Sequence, residues 1–299
     1  MSGVAASRTH DGVLWAVEDS GNAAALHAFA LDGADLGTFT VGGTTNRDWE
    51  AVATAPGVVF VGDIGDNRST LRSVVVHRVA EPPAAPAGSD GTVEVTATYT
   101  LRLPGGPADA EALLHDPVSG DLVVLTKNWD GDGSRILRAP ADRLGSSGTV
   151  DLVDEGTVRL ALPTFRLPGD ALVTAADASP DGATLLVRTY GRGLAYRRAA
   201  GASVADALRG DPCRAPSAPE EQGESIAFLP GGRGYVTVSE GASPGLHAFE
   251  LVTPPPTSPR RESSRRWWPW AASGVALVAV ALLVLRRMGD SRRARHRQG

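Results

Sequence analysis

Five times in its first 243 residues the chain repeats one phrase: a short apolar strand, a turn built of Pro, Gly or Asp, a β-branched strand and a polar loop. The copies are "VAASRTHDGVLWAVEDSG" (4 to 21), "VATAPGVVFVGDIGDN" (52 to 67), "LLHDPVSGDLVVLTKNWDG" (113 to 131), "ADASPDGATLLVRTYGRG" (176 to 193) and "IAFLPGGRGYVTVSEGAS" (226 to 243). Each reads as a β-hairpin. A lone hairpin is barely stable in water, so the copies must pack on one another. Further strands follow: "SVVVHRV" and "VEVTATYTLRL" after the second copy, "RILRAP" and "VDLVDEGTVRLAL" after the third. A unit is therefore four strands, a to d, with starts spaced by 48, 61, 63 and 50 residues. That spacing predicts an all-β head, a β-propeller of four-stranded blades. No long amphipathic helical pattern competes with it.

The two ends of the repeat array bear on closure. The fifth unit stops after its third strand, "LHAFEL", because Thr253 opens a proline stretch, and the first unit starts almost at Met1. Propellers commonly complete the last blade with a strand from the other end of the chain. That strand would lie upstream of residue 1, so five visible blades are a minimum, six are reached if upstream strands exist, and the natural start is expected further upstream.

Beyond the head (1 to 253) come a Pro/Arg-rich linker (254 to 266), an uncharged run "WWPWAASGVALVAVALLVL" (267 to 285) and a basic tail (286 to 299). Nineteen helical residues at 1.5 Å each span roughly 28 Å, the thickness of a bilayer's hydrocarbon core. Three tryptophans at one end suit the headgroup region, which predicts a single transmembrane helix. Four arginines precede the run and six follow it. The positive-inside rule then places the tail in the cytoplasm, against anionic lipid, and the head outside. "MSGVAASRTHDGVLWAVE" has no basic or apolar leader region, so either the chain is inserted by its tail with the head in the cytoplasm, or an outside head takes an export signal from further upstream.

Ten of the 29 basic residues but two of the 34 acidic ones fall in 257 to 299, which leaves residues 1 to 256 at −13. An acidic head excludes the basic stripe that nucleic acid requires. It suits a cationic ligand, and it also serves solubility. Lys127 is the single lysine among 28 arginines, and with abundant Gly, Pro and Ala this usage fits a GC-rich bacterial genome. The single Cys213 excludes an internal disulfide and sits in a loop-like stretch with no histidine beside it. No His-Glu-x-x-His or phosphate loop is present.

"RDWEAVA", "FVGDIGDNR", "HRVAEP", "DAEALLHDPVSGDLVVLTK" and "ADASPDGATLLVRTY" resemble uncharacterised bacterial, chiefly actinobacterial, β-propeller proteins of the WD40-like, TolB-like and NHL-type group. The likeness covers the whole head. It implies the fold and a secreted or membrane-anchored habit, and it carries no activity with it.

In a blade, the start of strand a and the end of strand b share one face, around the central channel. Glu50, Glu111 and Glu224 stand in one register before strand a ("EAV", "EAL", "ESI"), with Ser2 and Thr174 in the other two units. After strand b come Glu18 and Asp19, Asp63 with Asp66 and Asn67, Lys127 and Asn128, Arg188, and Glu240. The expected mouth is an acidic ring broken by Lys127 and Arg188. Two readings compete for the glutamates: caps on backbone N–H groups, or groups converging on a cation or cationic ligand. Asp63, Asp66 and Asn67, with Asp48, form the candidate divalent-cation site, Ca²⁺ being the fitting ion. The same "DIGDN" is also ordinary turn chemistry. Function is expected to be a ligand- or protein-binding scaffold. The alternative is a metal-dependent hydrolase of lactonase or phytase type.

Overall fold

The computed structural model describes residues 1–83, 88–129, 133–160, 169–220, 222–241 and 245–250. All belong to one compact unit, Met1–Val252. No helix among the described residues is long and apolar enough to cross a membrane. The expected span, 267 to 285, and its basic tail lie outside the described residues.

The first repeat folds as β1 (Gly3–Ala6), β2 (Val13–Val17), β3 (Ala25–Ala30) and β4 (Asp35–Gly42). The second gives β5 (Trp49–Ala55), β6 (Val58–Asp63), β7 (Ser73–Ala80) and β8 (Gly91–Arg102). The third gives β9 (Ala110–His115), β10 (Leu122–Thr126), β11 (Arg135–Ala139), β12 (Gly148–Asp151) and β13 (Val153–Thr157). The fourth holds β14 (Val173–Ala178), β15 (Thr184–Thr189), β16 (Arg192–Arg197), a one-turn helix α1 (Val204–Leu208) and β17 (Cys213–Ala215). The fifth has β18 (Gly223–Phe228), β19 (Gly234–Ser239) and β20 (Leu246–Glu250).

Each repeat is an antiparallel meander, and its first strand lies innermost. β5 packs between β1 and β9, β14 between β9 and β18, and β18 returns to β1. Five inner strands therefore close a propeller-like ring. The apolar core divides the same way, one cluster per blade junction. Trp15, Phe39 and Trp49 fill the first, Tyr99, Leu101 and Leu113 the second, and Ile136, Val187 and Tyr196 the third. Phe228 and Tyr235 fill the fourth, and Val4, Leu14 and Val236 close the ring at the fifth. Each large side chain so buried contributes about 1.5–3 kcal/mol.

The inner strands crowd the axis, which explains their small residues. A Cβ on Gly3 would lie 2.8 Å from the Val52 backbone N. Ala51, Ala112 and Ala175 are buried at neighbouring inner positions.

Two departures from the sequence reading concern edges. "VDLVDEGTVRLAL" is not one strand: β12 pairs in parallel with the outer edge of β8, and β13 pairs with β11. Leu152 between them is buried in the junction of the second and third blades, so the chain changes sheet there. The other half of β8 pairs in parallel with β4. Twelve residues of β8 thus stitch three repeats together and cover edges that would otherwise be open. Second, the stretch around Cys213 is not a loop throughout, since Cys213 begins β17 and its side chain is exposed. Just before it, Ser203 and Asp206 form a capping box that starts α1, whose Val204 and Leu208 are buried.

Candidate functional site

Glu50, Glu111, Thr174 and Glu224 occupy the second position of β5, β9, β14 and β18, inside the strands rather than ahead of them. Each falls at a register shift. Trp49 pairs with Asp63 and Ala51 with Gly62, leaving Glu50 without a cross-strand partner. Ala110 and Ala112 skip Glu111, Val173 and Ala175 skip Thr174, and Gly223 and Ser225 skip Glu224. A β-bulge leaves its extra residue unpaired and re-aims its side chain. Here the three glutamates are aimed at the axis, where all three line one cavity of about 200 Å³.

The cavity is also lined by Lys127, Tyr190 and Trp129, with Asn67, Asp19 and Glu240 at the rim. Beneath it the inner strands close in, and the space shrinks to about 10 Å³ beside Gly3, Ala51 and Ser225. At the far face Arg8, from the turn after β1, reaches Asp177 of the fourth repeat at 3.3 Å and the Ala178 carbonyl at 2.9 Å. The mouth is a closed cup. The opposite opening, about 310 Å³, is rimmed by Pro56, Pro117, Pro180 and Pro230 and has no carboxylate in its wall among the described residues.

Inside the cup the ring positions are satisfied in turn. Ser2 Oγ donates to Glu50 Oε2 at 2.6 Å. Lys127 Nζ donates to Glu111 Oε1 at 2.8 Å and to the Tyr190 hydroxyl at 2.7 Å. The same ammonium lies 4.8 Å from the Tyr190 ring centre and 5.1 Å from that of Trp129, cation–π distances. Thr174 Oγ1 donates to the Gly223 carbonyl at 2.8 Å. Glu224, 6 % exposed, makes no hydrogen bond or ion pair with any described residue. None of the three glutamates accepts from a backbone N–H among the described residues.

Arg188, expected at the mouth, is 1 % exposed and lies off the cavity wall. It sits within β15 and donates from Nη2 to Glu220 Oε2 at 2.5 Å. Its Nε and Nη1 make no hydrogen bond.

Burial dominates the electrostatics. Desolvation, then repulsion from Glu111, pushes the Glu50 carboxyl up to about 9. Desolvation pushes Glu224 up to about 7 against the pull of Lys127. Burial also raises Glu111, while Lys127 draws it back. For Lys127 burial works against the charge, but Glu111 and Tyr190 outweigh it and the ammonium is held. Asp48 is raised to about 6 by burial and by Asp19 beside it.

The candidate cation set divides. Asp63 Oδ1 accepts from the Asp48 N–H at 2.9 Å and pairs with Arg47 at 3.1 Å. Asp66 Oδ2 accepts from the N–H groups of Thr70 and Leu71, both at 2.6 Å. Both side chains are engaged in turn chemistry. Asn67 is exposed at the rim of the cup. Asp48 instead joins Asp19 and Glu50, whose carboxylate oxygens all lie within 4.8 Å of one another. Gly65 makes room for them: a Cβ there would lie 2.5 Å from Asp48 Oδ2 and 2.7 Å from Glu50 Oε1. Oxygen donors of this kind fit a hard cation such as Ca²⁺.

Sequence reasoning missed Tyr190 and Trp129. Both stand just after strand b, like Lys127, and aromatics in that loop register are the signal that marks them.

No protein-family model matches the chain, and no curated protein sequence matches it. Among solved structures, the hydrazine synthase of Kuenenia stuttgartiensis superposes with a TM-score of 0.42 at 10 % identity, over 80 % of this chain and 68 % of that one. A nidogen/laminin complex gives 0.46 at 14 %, over 84 % and 75 %. A candidate 6-phosphogluconolactonase of Bacteroides uniformis gives 0.41 at 14 %, over 80 % and 64 %. Superpositions this remote add nothing to the fold assignment, which rests on the closed ring of inner strands.

Proposed function

We propose that the chain is a membrane-anchored binding scaffold whose acidic mouth takes a ligand, with a single-pass helix at 267 to 285 and the head on the outer side of the membrane. The observation that supports it is the placement of Glu50 and Glu224. Both are buried beside a closed cup, and both occupy bulges at which the fourth repeat tolerates Thr174. The fold does not require an acid there, and burying one costs stability. A buried acid in a cleft, pushed well above the ordinary carboxylate range where the fold needs no acid, is the mark of a candidate site.

A thermal-shift screen of the full chain with Ca²⁺, amines, sugars and carboxylic acids tests the reading. At about 100 times its Kd a ligand adds about 2.7 kcal/mol, a shift of several degrees. The reading predicts that at least one class stabilises the chain and that Glu50→Gln/Glu224→Gln loses the shift. A mouth indifferent to every class would refute it. Protease accessibility on intact cells tests the topology: the head is cleaved if it is outside and spared if it is not.

A metal-dependent hydrolase is the second reading, favoured by the Asp19, Asp48 and Glu50 cluster. A cation held there would polarise an ester or phosphate at the cup. It requires Ca²⁺ to raise Tm and Asp48→Asn to abolish the gain.

A further inference from the structure

Five side chains occupy equivalent ring positions, and the chain itself satisfies four of them. Ser2 and Glu50 bond each other, Glu111 has Lys127, and Thr174 has the Gly223 carbonyl. Of the five, Glu224 alone faces the cup with neither a donor nor a counter-ion in contact among the described residues. A carboxylate 6 % exposed and without a donor is an expensive arrangement. The neighbouring guanidinium of Arg188 makes its hydrogen bond to Glu220 and none to Glu224.

The adjacent position shows what completes such a carboxylate. Glu111 sits at the same bulge and receives an ammonium that also donates to Tyr190 and lies against the Trp129 and Tyr190 rings. We propose, on the footing of the mouth as a ligand site, that the open position at Glu224 binds a small primary amine as its ammonium, with Trp129 and Tyr190 as the apolar wall for its carbon chain.

Other chemistries fit less well. An anion would meet Glu50, Glu224 and Glu240, while the one lysine is already paired. A divalent ion needs several oxygens converging on it. Among the described residues the cluster that converges is Asp19, Asp48 and Glu50, and it leaves Glu224 out. A quaternary ammonium offers charge but no N–H for the carboxylate. The cup, about 200 Å³, is below the usual range for drug-sized ligands and suits a molecule of a few heavy atoms.

Binding to the ionised carboxylate displaces the proton that Glu224 carries below about 7. Lys127, Glu240, Glu50, Glu111, Tyr190, Arg188 and the Met1 amino group are the charged or titratable groups acting on it. Affinity for an amine should therefore rise about tenfold from pH 6 to pH 8.

The test is calorimetric titration of the full chain with putrescine, tetramethylammonium, Ca²⁺ and acetate. Putrescine is expected to bind, with at least tenfold weaker binding by tetramethylammonium and by Glu224→Gln, and severalfold weaker binding by Trp129→Leu. Glu224→Gln removes no contact, so it should fold, and its melting curve checks this. Tetramethylammonium binding as well as putrescine, or unchanged putrescine affinity in Glu224→Gln, would overturn the proposal. If putrescine fails while Ca²⁺ or another class stabilises the chain through the mouth, the amine proposal falls and the mouth reading stands. If no class does, both fall.

Discussion

At the scale of single residues, two kinds of acid share the mouth and do opposite work. Asp63 and Asp66 spend their oxygens on backbone N–H groups and Arg47. The glutamates accept from side chains or from nothing. The sequence could not separate them, because "DIGDN" and "EAV" are both acids beside strands, and hydrogen-bond partners are set by bulges and turns that composition does not mark. The partners decide what substitution does. Lys127→Met strands a buried Glu111, and losing one member of a buried pair costs about 3–5 kcal/mol, read as a lower urea midpoint. Adding Glu111→Gln should restore much of the loss. Asp66→Ala removes bonds that hold the 66 to 71 turn and should cost about 1–3 kcal/mol without altering ligand binding at the mouth.

The β-bulge is the element that makes the site. The shared register of Glu50, Glu111 and Glu224 was legible in "EAV", "EAL" and "ESI". That these residues lie inside the strand, aimed at the axis, was not, since one extra unpaired residue leaves no periodic signature. Arg188 shows the same limit: two positions earlier in its blade than Lys127's place, it stays within β15 and is buried with Glu220. The inner strands also define how closely blades approach. Gly3→Val would drive a branched side chain into the backbone of Val52, and overpacking of that sort costs about 1–3 kcal/mol. The expected readout is a Tm lower by roughly 2–4 °C per kcal/mol.

For the whole molecule, the five repeats foretold five antiparallel meanders and an all-β head, because each hairpin phrase carries its strands and turn within some twenty residues. What the repeats concealed was non-local. β12 crosses to the edge of β8, a pairing decided by which neighbouring edge is open rather than by its own sequence. The closed ring gathers Glu50, Glu111 and Glu224 at one mouth, and their repulsion and burial act on the stability of the entire head. Glu50 is raised to about 9 and Glu224 to about 7, from ordinary values of 4.5. Between 4.5 and those values the folded head binds more protons than the unfolded chain, so stability is highest below the lower limit and falls as pH rises. Ca²⁺ or an amine in the cup should offset that fall.

The most direct measurement is the unfolding free energy of the full chain from pH 5 to pH 9, without ligand, beside that of Glu50→Gln/Glu224→Gln. If the mouth is kept for a ligand at the expense of stability, the wild-type curve descends across this range, and the variant's is flatter and lies above it at pH 8. Parallel curves, or a variant less stable than wild type at pH 8, would show that the glutamates serve the fold and would contradict the account.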